Sequence, residues 1–158
     1  MASWAQFTGE APDLAERVHA RFTANLHQVL ATLRPDGSPR LSGIEIHFHA
    51  DELWLGSMPG SAKGRDLARD PRFALHSAPL EEDLQRGDAT LDGTVERLED
   101  LAVWRAITAH LDGPEPGELT GELYRLDLER ASLVHVEGNR LVVESWSPGH
   151  GPVRAERS

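Results

Sequence analysis

The period of the apolar positions changes several times along the chain. Between Pro12 and Asn25 they recur at spacing four, with Leu14, Val18 and Phe22 in register, which predicts a helix; Pro12 suits its first turn. From His27 the spacing falls to two. "HQVLATLR" alternates as a strand with Val29, Ala31 and Leu33 on one face, and "PDGS" (Pro35 to Ser38) turns the chain. "PRLSGIEIHF" reads as a second strand, with Ile44, Ile46 and Phe48 on one face and Gly43, Glu45 and His47 on the other. A turn at "AD" leads into a third strand, "ELWLGS", so adjacency makes two antiparallel hairpins.

The pattern then breaks. "SMPG" reads as a loop, Ser61 is a good N-cap, and the helix it starts runs to about Arg69, because Pro71 disfavours helical geometry at Asp70. "RFALHSA" is a fourth strand, "PLEEDLQRG" an acidic loop, and "DATLDGTVERL" a fifth strand with a possible bulge at Gly93. Glu99 to Leu111 has helical spacing, with Leu101, Trp104, Ile107 and Leu111 inward. After a linker loop, "DGPEPGE", come three more strands, "LTGELYRLDL", "ASLVHVE" and "RLVVESW", the last two joined by a turn at "GN". The tail "SPGHGPVRAERS" has no periodicity. Strands dominate and lie mostly in hairpins, so the expected fold is mainly β with helices (α+β), an antiparallel barrel or half-barrel with helices at its ends. Neither a repeat nor a composition shift divides residues 1–158, so a single domain is expected.

Composition changes this picture at one place. The chain has 158 residues, no cysteine and a net charge of −10. The absence of cysteine excludes disulfides and thiolate metal sites and fits a reducing cytoplasm. No apolar run approaches membrane-spanning length, and no signal peptide is evident. The acidic balance argues against nucleic-acid binding. Yet "SMPGSAKGRDLARDPR" is locally basic, with Lys63, Arg65, Arg69 and Arg72 against Asp66 and Asp70. It also holds the only lysine, Lys63, in a chain with sixteen basic residues. A locally basic site in an acidic protein suits a small anion.

The run from Val29 to Ser77, above all "LRPDGSPRLS" and "GSMPGSAKGRDLARDPR", resembles the pyridoxamine 5′-phosphate oxidase-like family of split β-barrel flavoproteins. The resemblance implies a homodimer with FMN, or in a sister branch the deazaflavin coenzyme F-420, in clefts between subunits. It places the cofactor phosphate at the loop and helix from Ser57 to Arg65, Met58 included. That site is physically sensible. A helix N-terminus offers unpaired amides and a positive dipole end, Gly60 allows close backbone approach, Ser57 and Ser61 supply hydroxyls, Lys63 a flexible charge and Arg65 a fork. Family members often carry asparagine where this chain has Asp66, and an acid there must point away or pair with Arg65 or Arg69. The chain also lacks the extra arginines of true pyridoxamine phosphate oxidases, so pyridoxal phosphate is not the expected product.

By the same resemblance the "EIHFH" strand lines the flavin ring, with Glu45 or His47 at the ring edge or substrate. Glu45, His47 and His49 also have the spacing of a metal triad, but no metal is expected. Ser77 reaches the cofactor from behind, and Trp146 and His150 cap the ring from the partner subunit. Neither a Ser-His-Asp order nor a paired-carboxylate motif stands out. A flavoprotein needs few catalytic side chains, because the cofactor carries the redox chemistry. The expectation is a cytoplasmic oxidoreductase acting on a small molecule. The alternative is a non-catalytic flavin- or haem-binding protein on the same fold.

Overall fold

A computed structural model describes residues 2–79 and 84–158. Its elements are α1 (Trp4–Glu10), α2 (Pro12–Thr23), β1 (Gln28–Leu33), β2 (Pro39–Ile44), β3 (Ile46–His49), β4 (Glu52–Ser57), α3 (Ala62–Arg69), β5 (Arg72–His76), β6 (Asp88–Leu98), α4 (Leu101–Thr108), β7 (Glu122–Glu137), β8 (Arg140–Ser147) and β9 (His150–Arg157). Of the acidic loop expected after Ala78, residues 80–83 lie outside the described residues.

All nine strands belong to one antiparallel sheet, in the order β2-β1-β5-β6-β7-β4-β3, with β8 on β7 and β9 on β8. The two ends of this path, β2 and β3, are separated in the chain only by Glu45. What reads as one strand in the sequence therefore kinks at Glu45 and joins both ends of the path, which is how the barrel closes and why it is split. The 16-residue β7 is the spine. One side of it follows β6; on the other, residues 122–125 pair with β4 and residues 131–137 with β8. Two separate strands were expected over this stretch, because "ER" interrupts the apolar alternation. The register shift at Asp92/Gly93 absorbs the interruption. A Cβ at Gly93 would collide with the Asp127 carbonyl, so the expected bulge is one that only glycine fits.

Two apolar clusters fill the fold. The larger packs α1 and α2 against the sheet, with Phe7 stacked on Trp146 at 4.6 Å and Trp4 edge-on to Phe7 and Phe48. The smaller joins Trp54, Val103, Trp104, Ile107 and Leu123 under α4.

Two features are added here and two expectations corrected. The helix α1 is an addition; only Trp4 and Phe7 are apolar anchors in it, too few to register as a period, although Ser3 caps it by accepting from the Gln6 amide. On β1 Val29, Ala31 and Leu33 share one face as expected, and it is the outward one; the inward residues are Gln28, Leu30 and Thr32. Leu111 lies beyond the end of α4 and is exposed. The aperiodic tail is a strand, β9, exposed along its whole length and held by its ladder to β8.

Candidate functional site

The loop after β4 and the first turn of α3 fold as their sequence dictates. Gly60 has φ +69°, a left-handed conformation that glycine adopts without strain. Ser61 Oγ accepts from the Gly64 amide at 3.1 Å and lies 2.6 Å from Ser57 Oγ. Its carbonyl takes the Arg65 amide. The cap thus uses the Gly64 and Arg65 amides and leaves those of Ala62 and Lys63, at the positive end of the helix dipole, for something else. Lys63 is half-buried and pairs with no described residue.

Beside this helix end lies an open cleft of about 550 Å³. Its walls come from distant parts of the chain: the β2–β3 kink, the end of β4, α4 with its following turn, and the segment before β7. Ile44, Trp104 and Ile107 make it apolar, and Lys63, Ser57, Glu45 and His47 make one side polar. Met58 lies at its edge, 80% exposed, an unbranched apolar side chain with nothing over it in the chain itself. Two glycines shape the wall. A Cβ at Gly56 would come 3.1 Å from the Trp104 ring, and one at Gly121 would come 2.5 Å from that ring and 2.6 Å from the Ser57 carbonyl. The indole therefore lies directly against β4, its Nε1 buried with no acceptor among the described residues.

Glu45 is the polar hub. Freed from the ladder by the kink, its carboxylate meets His110 Nε2 at 2.9 Å, His27 Nε2 at 3.6 Å and His47 Nε2 at 3.9 Å. Burial first, and then the neighbouring His110, push the His47 pKa below the usual imidazole range, with Glu45 opposing them. His47 is therefore neutral at pH 7.

Of the expected site residues, Ser57, Met58, Lys63, Glu45 and His47 all line this one cleft, and Gly60 and Ser61 form the loop and cap beside it. Arg65 is exposed and donates to the Gly60 carbonyl at 3.0 Å, so it braces the loop from outside. Two placements are corrections. Ser77 is fully buried and its hydroxyl accepts from the Ala89 amide, so it is spent on β6. Trp146 is a core residue of its own chain, stacked on Phe7 and donating to Glu10, and cannot cap a neighbour's ring. His150, expected to reach the ring from a partner subunit, is exposed at the β8–β9 turn against the Pro148 carbonyl, away from its own chain's cleft. His49 lies outside the lining that Glu45 and His47 share, although His47 and His49 both border a neighbouring hollow, and no described group of three ligating side chains has metal-binding geometry.

Asp66 resolves as the physics requires. It is 1% exposed, points away from the helix end, and accepts from Arg40 Nε at 2.6 Å, Thr32 Oγ1 at 2.8 Å and Arg69 Nη2 at 3.0 Å. Burial pushes its pKa up, but these three donors outweigh it and hold the carboxyl at about 2. The pairing with Arg69 is legible from spacing three on a helix; that with Arg40 is not. His27, His110 and Gly121 also escape the sequence, since only the folded chain brings them to Glu45 and Ser57.

The profile of the pyridoxamine 5′-phosphate oxidase family matches residues 14–135, more than three quarters of the chain. The chain belongs to this family. The match takes in both α3 and the β2–β3 kink, so the cleft is built largely from the family's own segment. Among solved structures, the fold is similar to a pyridoxamine 5′-phosphate oxidase-related, FMN binding protein from Nostoc punctiforme, at 13% identity over 93% of this chain and 95% of that one, with TM-score 0.66. A heme binding protein from Mycobacterium smegmatis matches at 23% identity over 87% of this chain and 59% of its own, with TM-score 0.60. An F420 reductase matches at 22% over 68% and 89%, with TM-score 0.53. At these identities the likeness shows the split-barrel fold, which one family frame uses for several cofactors.

Proposed function

We propose that the protein binds FMN in the cleft beside α3, as one half of a homodimer, and serves as an oxidoreductase for a small molecule. The observation that carries this reading is Lys63. The only lysine of the chain lies at a helix N-terminus, without a described partner, at the polar side of an otherwise apolar cleft. The residues present fit the cofactor. Lys63, the Ala62 and Lys63 amides and the Ser57 and Ser61 hydroxyls would hold the phosphate, and Ile44, Met58 and Trp104 offer apolar surface to a planar ring. FMN, when bound, supplies the electron and hydride chemistry. The chain's own groups bind, orient and exclude water. Neutral His47 holds a proton on one ring nitrogen and offers the other as an acceptor, while His110 Nε2, 2.9 Å from a Glu45 carboxyl oxygen, fixes the direction of that side chain.

The second subunit is supported by the outward face of β1 and β2, where Leu41 is 72% exposed opposite Ala31 and beside the outward Val29. A titration of cofactor-free protein with FMN, read by quenching of flavin fluorescence, tests the proposal. Lys63→Ala should weaken binding about 10- to 100-fold, the loss of one charge-assisted contact. Unchanged affinity in that variant would remove Lys63 from the site. F-420 carries a phosphate too, and its distinct absorbance separates it from FMN in the same experiment. A second reading, haem binding without catalysis, is favoured by the three histidines around Glu45. A Soret band after haemin addition, abolished by His47→Ala, would support it over the flavin.

A further inference from the structure

A larger cavity, about 670 Å³, lies between α2 and the β7–β8 hairpin. Among the described residues it shares no lining with the cleft beside α3. Ala20 of α2 and Ala24 at its C-cap line it together with Leu133 and Val136 of β7, which gives it apolar walls. Most of its charged groups are already committed. Arg17 Nη2 bonds Glu144 at 2.8 Å and Asp13 at 2.9 Å. Arg154 bonds Glu137 at 2.6 Å and Glu156 at 3.0 Å. His135 Nε2 lies 2.8 Å from Glu144, and Arg86 is also engaged.

Arg21 is different. It lines the same cavity and is only 3% exposed, yet it makes no hydrogen bond or ion pair with any described residue, and its Nε is fully buried without an acceptor. A guanidinium stays charged when buried, and burial without a counter-charge is costly. Its place in the last turn of α2 brings some help from the helix dipole, but that effect is small against the desolvation of a whole cation. The described lining holds four arginines against three carboxylates, and Arg21 is the arginine among them without a described partner. We infer that this cavity is a binding site for a small organic anion, a carboxylate or phosphate ester with an apolar body, whose charged group pairs with Arg21. The volume suits a metabolite-sized ligand. The apolar body follows from the alanines, Leu133 and Val136, and the anion from Arg21, the cation of this cavity that no described group matches. The inference is independent of what the α3 cleft binds.

The probes are phenyl phosphate and benzoate, with benzyl alcohol as the neutral control, added to the full-length protein in a Tris chloride buffer. The Arg21 Nε–H resonance, assigned by its loss in Arg21→Met, should shift with phenyl phosphate or benzoate and not with benzyl alcohol. Whichever anion shifts it further identifies the preferred head group. Arg21→Met should weaken that binding about 10- to 100-fold, the range for one charge-assisted bond. It should keep or raise the melting temperature without ligand, since an apolar side chain of similar length removes an unmatched charge. Lys63→Ala should leave the anion affinity unchanged. An Arg21 resonance that moves with neither anion at millimolar concentration would overturn the inference. So would an Arg21→Met variant that is much less stable in anion-free buffer, because that would reveal a counter-charge within the chain.

Discussion

A single side chain can be legible in the sequence and still owe its surroundings to the fold. Lys63 stood out by composition, and its position after a serine cap on α3 is where the sequence puts it. In cofactor-free protein, Lys63→Ala should leave the melting temperature almost unchanged, because a half-exposed lysine with no described partner contributes little to folding. A substantial fall in a thermal melt would show that the lysine is structural. Asp66 behaves in the opposite way. Its folded pKa of about 2 lies below the ordinary 3.8, so its contribution is complete above about pH 5 and is lost as pH falls toward 2. Glu144, held at about 2 chiefly by the Arg17 hydrogen bond, adds to the same window. Denaturant midpoints should therefore drop between pH 5 and 2 in wild type. In Asp66→Asn they should be lower at pH 7 and flatter with pH, and an unchanged slope would show that the carboxylate is not the source. Ser77 and Trp146 were misjudged for one reason. A polar or aromatic residue near a predicted strand end gives no sign of which neighbour will claim it.

At the scale of elements, α2, β4, α3 and β8 follow directly from spacing, caps and prolines, because each carries its own signal within one stretch. The misreadings have a common cause in pairing. The break at Glu45, the continuous β7 and the strand β9 are decided by what lies alongside, and no local period reports that. Gly121 is the most telling of these positions. It looks like ordinary loop punctuation, but it allows Trp104 to lie against β4 and so sets the cleft wall. Gly121→Ala should destabilise the fold by about 1–3 kcal/mol through overpacking against a backbone carbonyl that cannot move aside. It should also weaken FMN binding in the titration above. Wild-type stability in that variant would contradict the close approach. Removal of β9, residues 150–158, is a contrasting case. Every one of its residues is exposed, so truncation should lower the melting temperature by only a few degrees, about the effect of 1–2 kcal/mol in a chain of this size. Collapse of the fold on truncation would mean that β9 does more than extend the sheet.

The whole molecule carries a net charge of −10 and an outward apolar face on β1 and β2, and these two features pull in opposite directions. Charge opposes self-association, while Leu41 and Val29 favour it. Light scattering should give twice the 17.4 kDa chain mass, and Leu41→Glu should return the monomer and lower cofactor affinity with it. A wild-type monomer at micromolar concentration would place the cofactor site within one chain. The barrel's general form could be anticipated because hairpins close on themselves, whereas its split was expected only from the family resemblance and from no local period, since it turns on one residue between two strands. The arginine-rich composition has a practical outcome. Acylating reagents attack free amines and ignore guanidinium groups, so this chain presents them with one side-chain target, and it lies in the cleft. Whatever occupies that cleft can thus be followed by mass spectrometry of the untouched protein: a single added acyl group, beyond any at the N-terminus, appears when the site is open and fails to appear when it is filled.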